Sequence, residues 1–215
     1  YVDFTCGAWG ARPWADGLDG NSHMFANMAS HSVEITETEQ PIQFLAYEFV
    51  PDKAGAGKYR GGVPFRRDYR FLESEGVLQV RSDRRDHRPF GLYGGSPGAP
   101  SENYFNPDAE NRVLPGKFTM TVRKGDVLRH VLAGAGGWGD PLERDPSAVL
   151  RDVRNELLSP AKARADYGVV VDTRRWAVDA AATEAERARI RAARGWREVP
   201  KVQRHDPLPA APSKA

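Results

Sequence analysis

Residues 133–146 read AGAGGWGDPLERDP, and this stretch places the tightest constraints on the backbone of the chain. Glycines at this density require either positive φ angles or the close approach of another surface. The stretch then passes into Asp145 and Pro146, a helix N-cap followed by proline at the first helical position. We therefore expect residues 134–139 to pack closely against another backbone, and a helix to begin at Pro146.

The composition excludes several classes of protein. Lysine and arginine total 31 against 29 aspartate and glutamate residues, so the net charge of +2 provides no general attraction to nucleic acid. A single cysteine, Cys6, excludes an internal disulfide and a multi-cysteine zinc site. The sequence has neither an apolar run long enough to span a membrane nor a secretory signal pattern. We expect a cytoplasmic protein. The start at Tyr1 rather than methionine indicates a fragment, a processed piece or an incompletely recorded polypeptide.

Hydrophobic patterning predicts strands in the first two-thirds of the chain and helices in the rest. Alternating apolar residues predict strands over residues 42–50, 63–73, 77–82, 118–122 and 127–132. Short turn segments at 74–76 and 124–126 predict that the second and third strands, and the fourth and fifth, form hairpins. Helical spacing and capping residues predict helices over 148–158, 160–166 and 183–194.

The predicted fold class is α+β and mainly β, with antiparallel hairpins in a sandwich-like arrangement and a carboxy-terminal helical hairpin. The expected organisation is a β-rich region over residues 1–145, a helical appendix over 146–199 and a disordered proline-rich tail over 200–215. Residues 83–111 are rich in turn-forming residues, and a loop of such length inside a compact domain is often functional.

A dense charge cluster leaves the predicted third strand and enters this long loop. Residues 81–88 read RSDRRDHR. Arginines at the end of a strand can bind a carboxylate or a phosphate with two parallel hydrogen bonds. The alternative is an ion-paired turn in which Asp83 and Asp86 neutralise their neighbouring arginines. The length of the loop is the observation that keeps the binding hypothesis open.

Polar residues near the amino terminus could bind a metal, because imidazole and carboxylate groups suit zinc, manganese or iron. They are His23, His31, Asp16 and Asp19. The two histidines are too far apart in sequence for one helical turn or a compact ligand loop. Each aspartate is followed by glycine, so both also suit turns.

Two further features each have a chemical hypothesis and a simpler alternative. Residues 55–62, GAGKYRGG, lack the order of a phosphate-binding loop and are better explained as tight turns beside a strand. Cys6 could act as a nucleophile with His23 or His31 as its base, or it could be a small buried apolar residue.

Eight blocks of sequence resemble, in the same order, the carboxy-terminal third of the hydantoinase B family. This family provides the second subunit of ATP-dependent hydantoinases and oxoprolinases and of related ketone carboxylases. The blocks are GARP with DG within 10–17, MFAN with VE within 24–34, GAGKYRGG at 55–62, RSDR at 81–84, GLYGG at 91–95, KGDV at 124–127, GWGDP at 137–141 and YGVV at 167–170. Single glycine-rich words recur by chance, whereas eight in order are specific.

The resemblance implies a hetero-oligomeric enzyme that hydrolyses a cyclic amide, or carboxylates a ketone, through a phosphorylated intermediate. The implied partners are the amino-terminal hydantoinase B-type portion and a hydantoinase A-type subunit of the actin-like ATPase kind, which would carry ATP and Mg²⁺. The family's Asp/His ligands for Zn²⁺, Mn²⁺ or a similar ion belong to the portion that would precede Tyr1. No metal site is therefore expected in this chain, and the isolated chain is expected to be inactive.

Five residues form the predicted substrate-binding set, and no catalytic residue is assigned. The set is His23, Asn27, Arg81, Asp83 and Arg84. Phe25 and Met28 stand where relatives commonly carry more polar residues, which implies a more apolar substrate if this block lines the substrate cavity.

The alternative function is that of a non-catalytic assembly subunit of the same complex. Trp9, Trp138 and the glycine run would then bury contacts between subunits, since tryptophan is concentrated at the centres of interfaces.

Overall fold

The computed structural model describes residues 1–23, 25–196 and 198–204. Its helices and strands in chain order are α1 (Val33–Glu39), β1 (Ile42–Phe49), β2 (Phe65–Phe71), β3 (Glu75–Arg81), β4 (Gly91–Leu92), β5 (Glu102–Phe105), β6 (Arg112–Leu114), β7 (Lys117–Arg123), β8 (Val127–Val131), α2 (Pro146–Arg154), α3 (Pro160–Tyr167), β9 (Val171–Asp172), β10 (Ala177–Val178), α4 (Ala180–Ala193) and β11 (Val202–Gln203). The mainly β, α+β fold class is confirmed. Across the described part of the chain, no helix has the length and apolar character needed to cross a membrane.

Two antiparallel sheets pack face to face in the β-rich region. The larger has five strands in the order β1-β2-β8-β5-β6, and the smaller pairs β3 with β7. Tyr69, Phe105 and Leu128 of the larger sheet and Val122 of the smaller sheet are buried in one apolar cluster. Removal of these faces from water stabilises the sandwich-like arrangement.

Both predicted hairpins are wrong. The chain does pass from β2 to β3 and from β7 to β8, but each time it crosses from one sheet to the other. β2 has β1 on one edge and β8 on the other, so no edge remains for β3. β8 lies between β2 and β5 in the same way. Alternation predicts strands, whereas the burial of apolar faces decides which strands pair.

The segment 83–111, expected to be one long loop, contains two strands. β4 pairs with β11, and β5 lies between β8 and β6 in the larger sheet. β4 is two residues long, and β5 reads ENYF with polar residues in half of its positions. Neither strand therefore carries an alternating apolar pattern that could reveal it.

The glycine run packs its backbone against other backbone segments of the same chain. A Cβ atom on Gly134 would lie 1.8 Å from the carbonyl oxygen of Lys53. A Cβ atom on Gly136 would lie 1.8 Å from the carbonyl oxygen of Phe90. Both distances are far below van der Waals contact, so only glycine fits at these positions. The expected close packing is present, and its partners belong to this chain.

Backbone hydrogen bonds connect the glycine run to residues 53–62 and 89–99. They include Gly55 N to Ala135 O at 2.8 Å, Ala135 N to Gly62 O at 3.2 Å, Gly137 N to Ser96 O at 3.0 Å, Gly134 N to Ala99 O at 3.0 Å and Leu92 N to Gly137 O at 3.0 Å. Apart from Leu92 of β4, the residues that these bonds join lie outside the strands, so the bonds satisfy peptide groups that no sheet pairs. We call this region the glycine core.

A buried network of two arginines and three aspartates connects the glycine core to α2. Arg144 donates to Asp16 at 2.6 Å and to Asp152 of α2 at 2.8 Å. Arg60 donates to Asp19 at 2.6 Å, and its Nε atom lies 3.2 Å from Asp152. Asp152 therefore bridges both guanidinium groups and fixes α2 against the β-rich region.

Within this network, the attraction between opposite charges offsets the free-energy cost of burying them. The side chains of Arg144 and Asp152 are 3% and 6% exposed. Burial opposes ionisation of Asp16, but the hydrogen bond and charge of Arg144, together with the Arg60 N–H, outweigh it and lower the pKa of Asp16. Removal of one partner would leave a buried charge without compensation.

The helical appendix has its own apolar cluster. Asp145 accepts a hydrogen bond from Ser147 N at 2.8 Å, so α2 begins at Pro146 as its capping pattern predicts. Ser159 caps α3 in the same way, accepting from the Lys162 N–H at 3.1 Å. The apolar faces of both helices form a buried cluster that also contains Ala56 of the β-rich region.

The structure describes residues 200–204 of the proline-rich segment 200–215. In this part β11 pairs with β4, and Tyr93 N donates to Lys201 O at 2.9 Å. Most of the predicted disordered tail, residues 205–215, lies outside the described residues.

We expect Gly136→Ala to lower the free energy of unfolding by about 3 kcal/mol or more, because a backbone carbonyl occupies the space its methyl group needs. Gly10→Ala is a matched control, since its Cβ would lie 3.9 Å from the Gly136 carbonyl oxygen. Its effect should stay within about 1 kcal/mol. Urea denaturation of both variants measures the difference, and equal small effects would contradict the packing argument.

Arg144→Met should cost about 3–5 kcal/mol of unfolding free energy, because it removes the guanidinium partner of Asp16 and leaves the buried Asp152 with Arg60 alone. The control is Lys58→Met, which removes an exposed pair whose Lys58 Nζ and Glu143 Oε2 atoms are 3.4 Å apart. That change should cost no more than about 1 kcal/mol. Thermal and urea unfolding of the two variants would contradict this ranking if Lys58→Met were as destabilising as Arg144→Met.

Candidate functional site

An open cleft of about 820 Å³ lies between the amino-terminal segment and the glycine run. Its lining includes residues 4–11, 81–84 and 132–137. Small-molecule sites have volumes on the order of 300–1,000 Å³. The cleft therefore has the size of a small-ligand site.

Four of the five predicted substrate-binding residues line this cleft, namely His23, Arg81, Asp83 and Arg84. Asn27 belongs to the same amino-terminal segment as His23, but it is not among the described residues that line the cleft. Met28 lines the cleft, whereas Phe25 is 87% exposed and lies outside the described lining. The fold thus brings two predicted segments to one cavity.

Hydrogen bonds to the backbone hold the arginine loop, residues 81–88, in place. The side chains of Arg85 and Arg88 donate to backbone carbonyl groups, that of Arg88 at 2.9 Å. Ser101 N donates to Arg84 O at 3.2 Å, and Ser101 Oγ donates to Asp83 O at 2.5 Å. After Arg81, the last residue of β3, the loop lacks regular structure, yet its backbone is fixed beside the cleft.

Arg81 and Arg84 carry the positive charges that this loop presents to the cleft. Asp83 lies 3.6 Å from a lysine of β7 rather than beside a neighbouring arginine. Asp86 lies 3.9 Å from Arg85, so the ion-paired alternative describes that pair. Within the described residues, no carboxylate lies within 4.0 Å of the Arg81 or Arg84 guanidinium nitrogens. Both groups are therefore available to an anionic or carbonyl oxygen.

A row of polar side chains crosses the larger sheet, and the sequence patterns did not indicate it. The strand register places Tyr47, Arg67, His130 and Asn103 opposite one another on β1, β2, β8 and β5. Arg67 donates to the Tyr47 hydroxyl at 2.8 Å, and His130 Nδ1 lies 2.6 Å from Asn103 Oδ1. We call these four residues the polar row.

His130 is the member of the polar row that lines the cleft. Its side chain is buried, with the residue only 7% exposed. Burial, reinforced by the positive charge of Arg67, lowers the pKa of His130 to about 4. The imidazole is therefore neutral at pH 7.

Asp3 connects the amino-terminal segment to the polar row. Arg67 donates to Asp3 Oδ2 at 2.6 Å, and the Tyr69 hydroxyl donates to the same oxygen at 2.7 Å. Arg67 also donates to Ser30 Oγ at 3.1 Å. Burial, followed by the negative charge of Asp3, raises the pKa of Tyr69, so its hydroxyl stays protonated. These bonds anchor the cleft wall that residues 4–11 form.

Both aspartates that could have joined the histidines in a metal site are paired with arginines. Asp16 and Asp19 each lie 2.6 Å from a buried guanidinium group. His23 is exposed, and its Nδ1 atom accepts a hydrogen bond from a backbone N–H at 3.2 Å. Among the described residues, no three His, Cys, Asp or Glu side chains form a group that could hold a metal ion.

Comparison with known proteins gives consistent matches. The sequence profile of the hydantoinase B/oxoprolinase family matches residues 1–141. An uncharacterised protein of Methanocaldococcus jannaschii is 40% identical over 139 residues, which cover 65% of this chain and 24% of that protein. Caprolactamase subunit beta of Pseudomonas jessenii is 32% identical over 169 residues, which cover 76% of this chain and 29% of the subunit.

Solved structures share the fold. ATP-dependent caprolactamase from Pseudomonas jessenii matches with a TM-score of 0.70 and 28% identity, covering 86% of this chain and 33% of the other. Acetone carboxylase in a nucleotide-free structure, described with ATP-dependent acetone carboxylation, matches with a TM-score of 0.71 and 23% identity, over 91% and 31% of the two chains. This chain thus spans about a quarter to a third of the length of these proteins. Because the family profile matches well over half of it, the chain belongs to the hydantoinase B/oxoprolinase family.

Proposed function

We propose that this chain forms one wall of the substrate cleft in an ATP-dependent enzyme that hydrolyses a cyclic amide or carboxylates a ketone. The observation that carries this proposal is the cleft itself, where Arg81 and Arg84 stand without carboxylate partners among the described residues. Family membership supports the reaction class, and the names of caprolactamase and acetone carboxylase supply the two chemistries. The nucleophile would come from elsewhere in the enzyme.

The proposed chemistry needs positive charge next to a reacting oxygen. An amide or enolate oxygen reacts poorly until it is phosphorylated, and a transferring phosphoryl group spreads negative charge over its oxygens. A guanidinium group donates two parallel hydrogen bonds to such a group. Arg81 and Arg84 would bind the anionic oxygens, while His23 and Asp83 would contact the rest of the substrate at the rim. Asn27, which has a positive φ of 45°, would act from the same segment as His23 by shaping its backbone.

The packing of the glycine-rich loop 55–62 against other backbone does not favour a phosphate-binding role for it. A Cβ atom on Gly55 would lie 2.2 Å from Ser96 O, so neighbouring backbone already fills the space beside the loop. We assign ATP and Mg²⁺ to a hydantoinase A-type partner subunit of the actin-like ATPase kind. We assign the divalent metal, Zn²⁺ or Mn²⁺ or a similar ion, to the amino-terminal hydantoinase B-type portion, because Asp16 and Asp19 are engaged by arginines. The proposed compartment is the cytoplasm, where ATP is available.

A non-catalytic assembly role is the second candidate. The glycine run does not favour it, because its close contacts are made within this chain. Large exposed apolar side chains do favour it: Phe4, Trp14 and Phe25 are 63%, 71% and 87% exposed. Exposed apolar groups of this size mark surfaces that bind other proteins. The two roles differ in whether the arginine loop affects turnover.

Arg81→Ala should lower turnover by the assembled, ATP-supplied complex about tenfold or more, because a charged hydrogen bond to the substrate is lost. Arg123→Ala is the matched control: Arg123 is an exposed arginine at the other end of the same two-stranded sheet, opposite Glu75, and does not belong to the described lining of the cleft. The turnover of a complex that contains this control variant should stay within about twofold of the turnover of the unsubstituted complex.

Native mass spectrometry of each complex checks that assembly is intact. Unchanged turnover in a fully assembled Arg81→Ala complex would overturn the binding role and favour the assembly role.

A further inference from the structure

A second cavity, of about 190 Å³, lies between the two sheets of the β-rich region. Strands of both sheets contribute apolar or aromatic side chains to its lining: Ile42 of β1, Tyr69 and Phe71 of β2, Leu128 of β8, and Leu78 and Val80 of β3. All six belong to the apolar cluster between the sheets or pack against it, yet they leave this space unfilled. We call it the apolar pocket.

The volume and lining of the apolar pocket suit a neutral group of about one ring. A cavity of about 150 Å³ lined by Leu, Ile and Phe side chains stays free of water and binds benzene. The apolar pocket has a similar volume and the same kinds of side chain on its strand walls. Binding of an apolar group there is favourable because it removes apolar surface from water.

Six further residues complete the lining of the apolar pocket: Tyr1, Asp3, Thr5, Gln79, Arg81 and His130. One oxygen of Asp3 accepts hydrogen bonds from Arg67 and Tyr69. The other, Oδ1, is buried and has no hydrogen-bond partner among the described residues. His130 Nδ1 lies 2.6 Å from Asn103 Oδ1. A group in the pocket would thus meet an apolar surface with a few polar atoms, as is usual for small-molecule sites.

The apolar pocket adjoins the cleft. Thr5, Arg81 and His130 line both cavities, so these three residues form a common wall. Among the described residues, no carboxylate lies within 4.0 Å of the Arg81 guanidinium nitrogens, so no ion pair fixes that side chain in the wall. A small ligand in the cleft therefore lies next to a space that suits an apolar substituent.

We propose that the apolar pocket is a subsite of the cleft, and that it binds a neutral apolar group of about one ring on a ligand whose oxygen-bearing part lies in the cleft. This inference rests on the proposed function, because it takes the cleft as the ligand site. It deepens that proposal by assigning selection of the ligand's substituent to Leu78, Val80 and Leu128.

The first test uses benzene alone as the probe. NMR spectra of the full chain with labelled Ile, Leu and Val methyl groups detect nuclear Overhauser effects between benzene and nearby methyl groups. We expect such effects at Leu78, Val80 and Leu128, which lie on three different walls or levels of the pocket. Their absence from all three residues, even if benzene bound elsewhere, would overturn the inference without any variant.

Val80→Phe and Val77→Phe are a matched pair of substitutions on β3. Val80 packs against the apolar cluster and lines the pocket, whereas Val77 is 77% exposed and lies on the opposite face of the strand. A ring at position 80 should fill the pocket and raise the Kd of benzene about tenfold or more, whereas a ring at position 77 should leave it within about twofold. Equal Kd values for two folded variants would contradict the assignment.

Propionate and 3-phenylpropionate test whether the pocket and the cleft act together in the assembled complex. Cys6 lines the cleft but does not belong to the described lining of the pocket, so slower alkylation of Cys6 by iodoacetamide reports a ligand in the cleft. Peptide mass spectrometry reads the alkylation. The phenyl compound should protect Cys6 at a concentration at least about tenfold lower than propionate, because its ring is buried in the pocket. Val80→Phe should remove this advantage, and Val77→Phe should preserve it.

The outcomes separate failure of this inference from failure of the proposed function. If both acids protect Cys6 equally well, the pocket is not joined to the cleft, so the inference fails while the proposed function stands. Arg81→Ala should weaken protection by both acids by a similar factor. If neither acid protects Cys6 in the unsubstituted complex, the cleft does not bind an anionic oxygen and the proposed function fails together with the inference.

Discussion

Contact between backbones without intervening side chains is the constraint on which the rest of this structure depends. The α-carbons of Gly134 and Gly136 face carbonyl oxygens so closely that a methyl group has no room. Glycine loses more conformational entropy on folding than any other residue, so a core built in this way is costly to order. Two features offset that cost: peptide hydrogen bonds across the glycine core, and the buried network in which Asp152 of α2 bridges two arginines.

The glycine core also positions the cleft. Residues 132–137 follow directly from β8, so the glycine wall and the buried His130 belong to one continuous segment. The arginine loop enters the cleft where β3 ends, and Ser101 holds its backbone there. Asp3 anchors the opposite wall on the larger sheet. Hydrogen bonds thus fix the backbone of the arginine loop, the opposite wall and the His130 ring before a ligand binds, which reduces the entropy lost on binding.

Much of the local structure was predictable because it follows from periodicity and capping. The strand at 42–50 and the helix starting at Pro146 match β1 and α2 closely, since alternation and an Asp-Pro cap act within a few residues. The hairpins failed because both strands of each expected pair found their partners elsewhere. The prediction of one long loop was wrong at β5. Its buried residue Asn103 is polar and contacts His130 of β8, so this strand shows no alternating apolar pattern in the sequence.

The sequence by itself determined the family, the mainly β fold class, the close packing of the glycine run and the presence of an arginine cluster. Each of these features can be recognised from short stretches of residues that are close together in the sequence. Only the tertiary structure decided that Asp16 binds Arg144, which is 128 residues away, and is not free to join a metal site. It also decided that His130 meets Asn103 at a separation of 27 residues and lines the cleft. Hydrogen bonds between side chains so distant in sequence leave no periodic signature, since strand order and register alone create them.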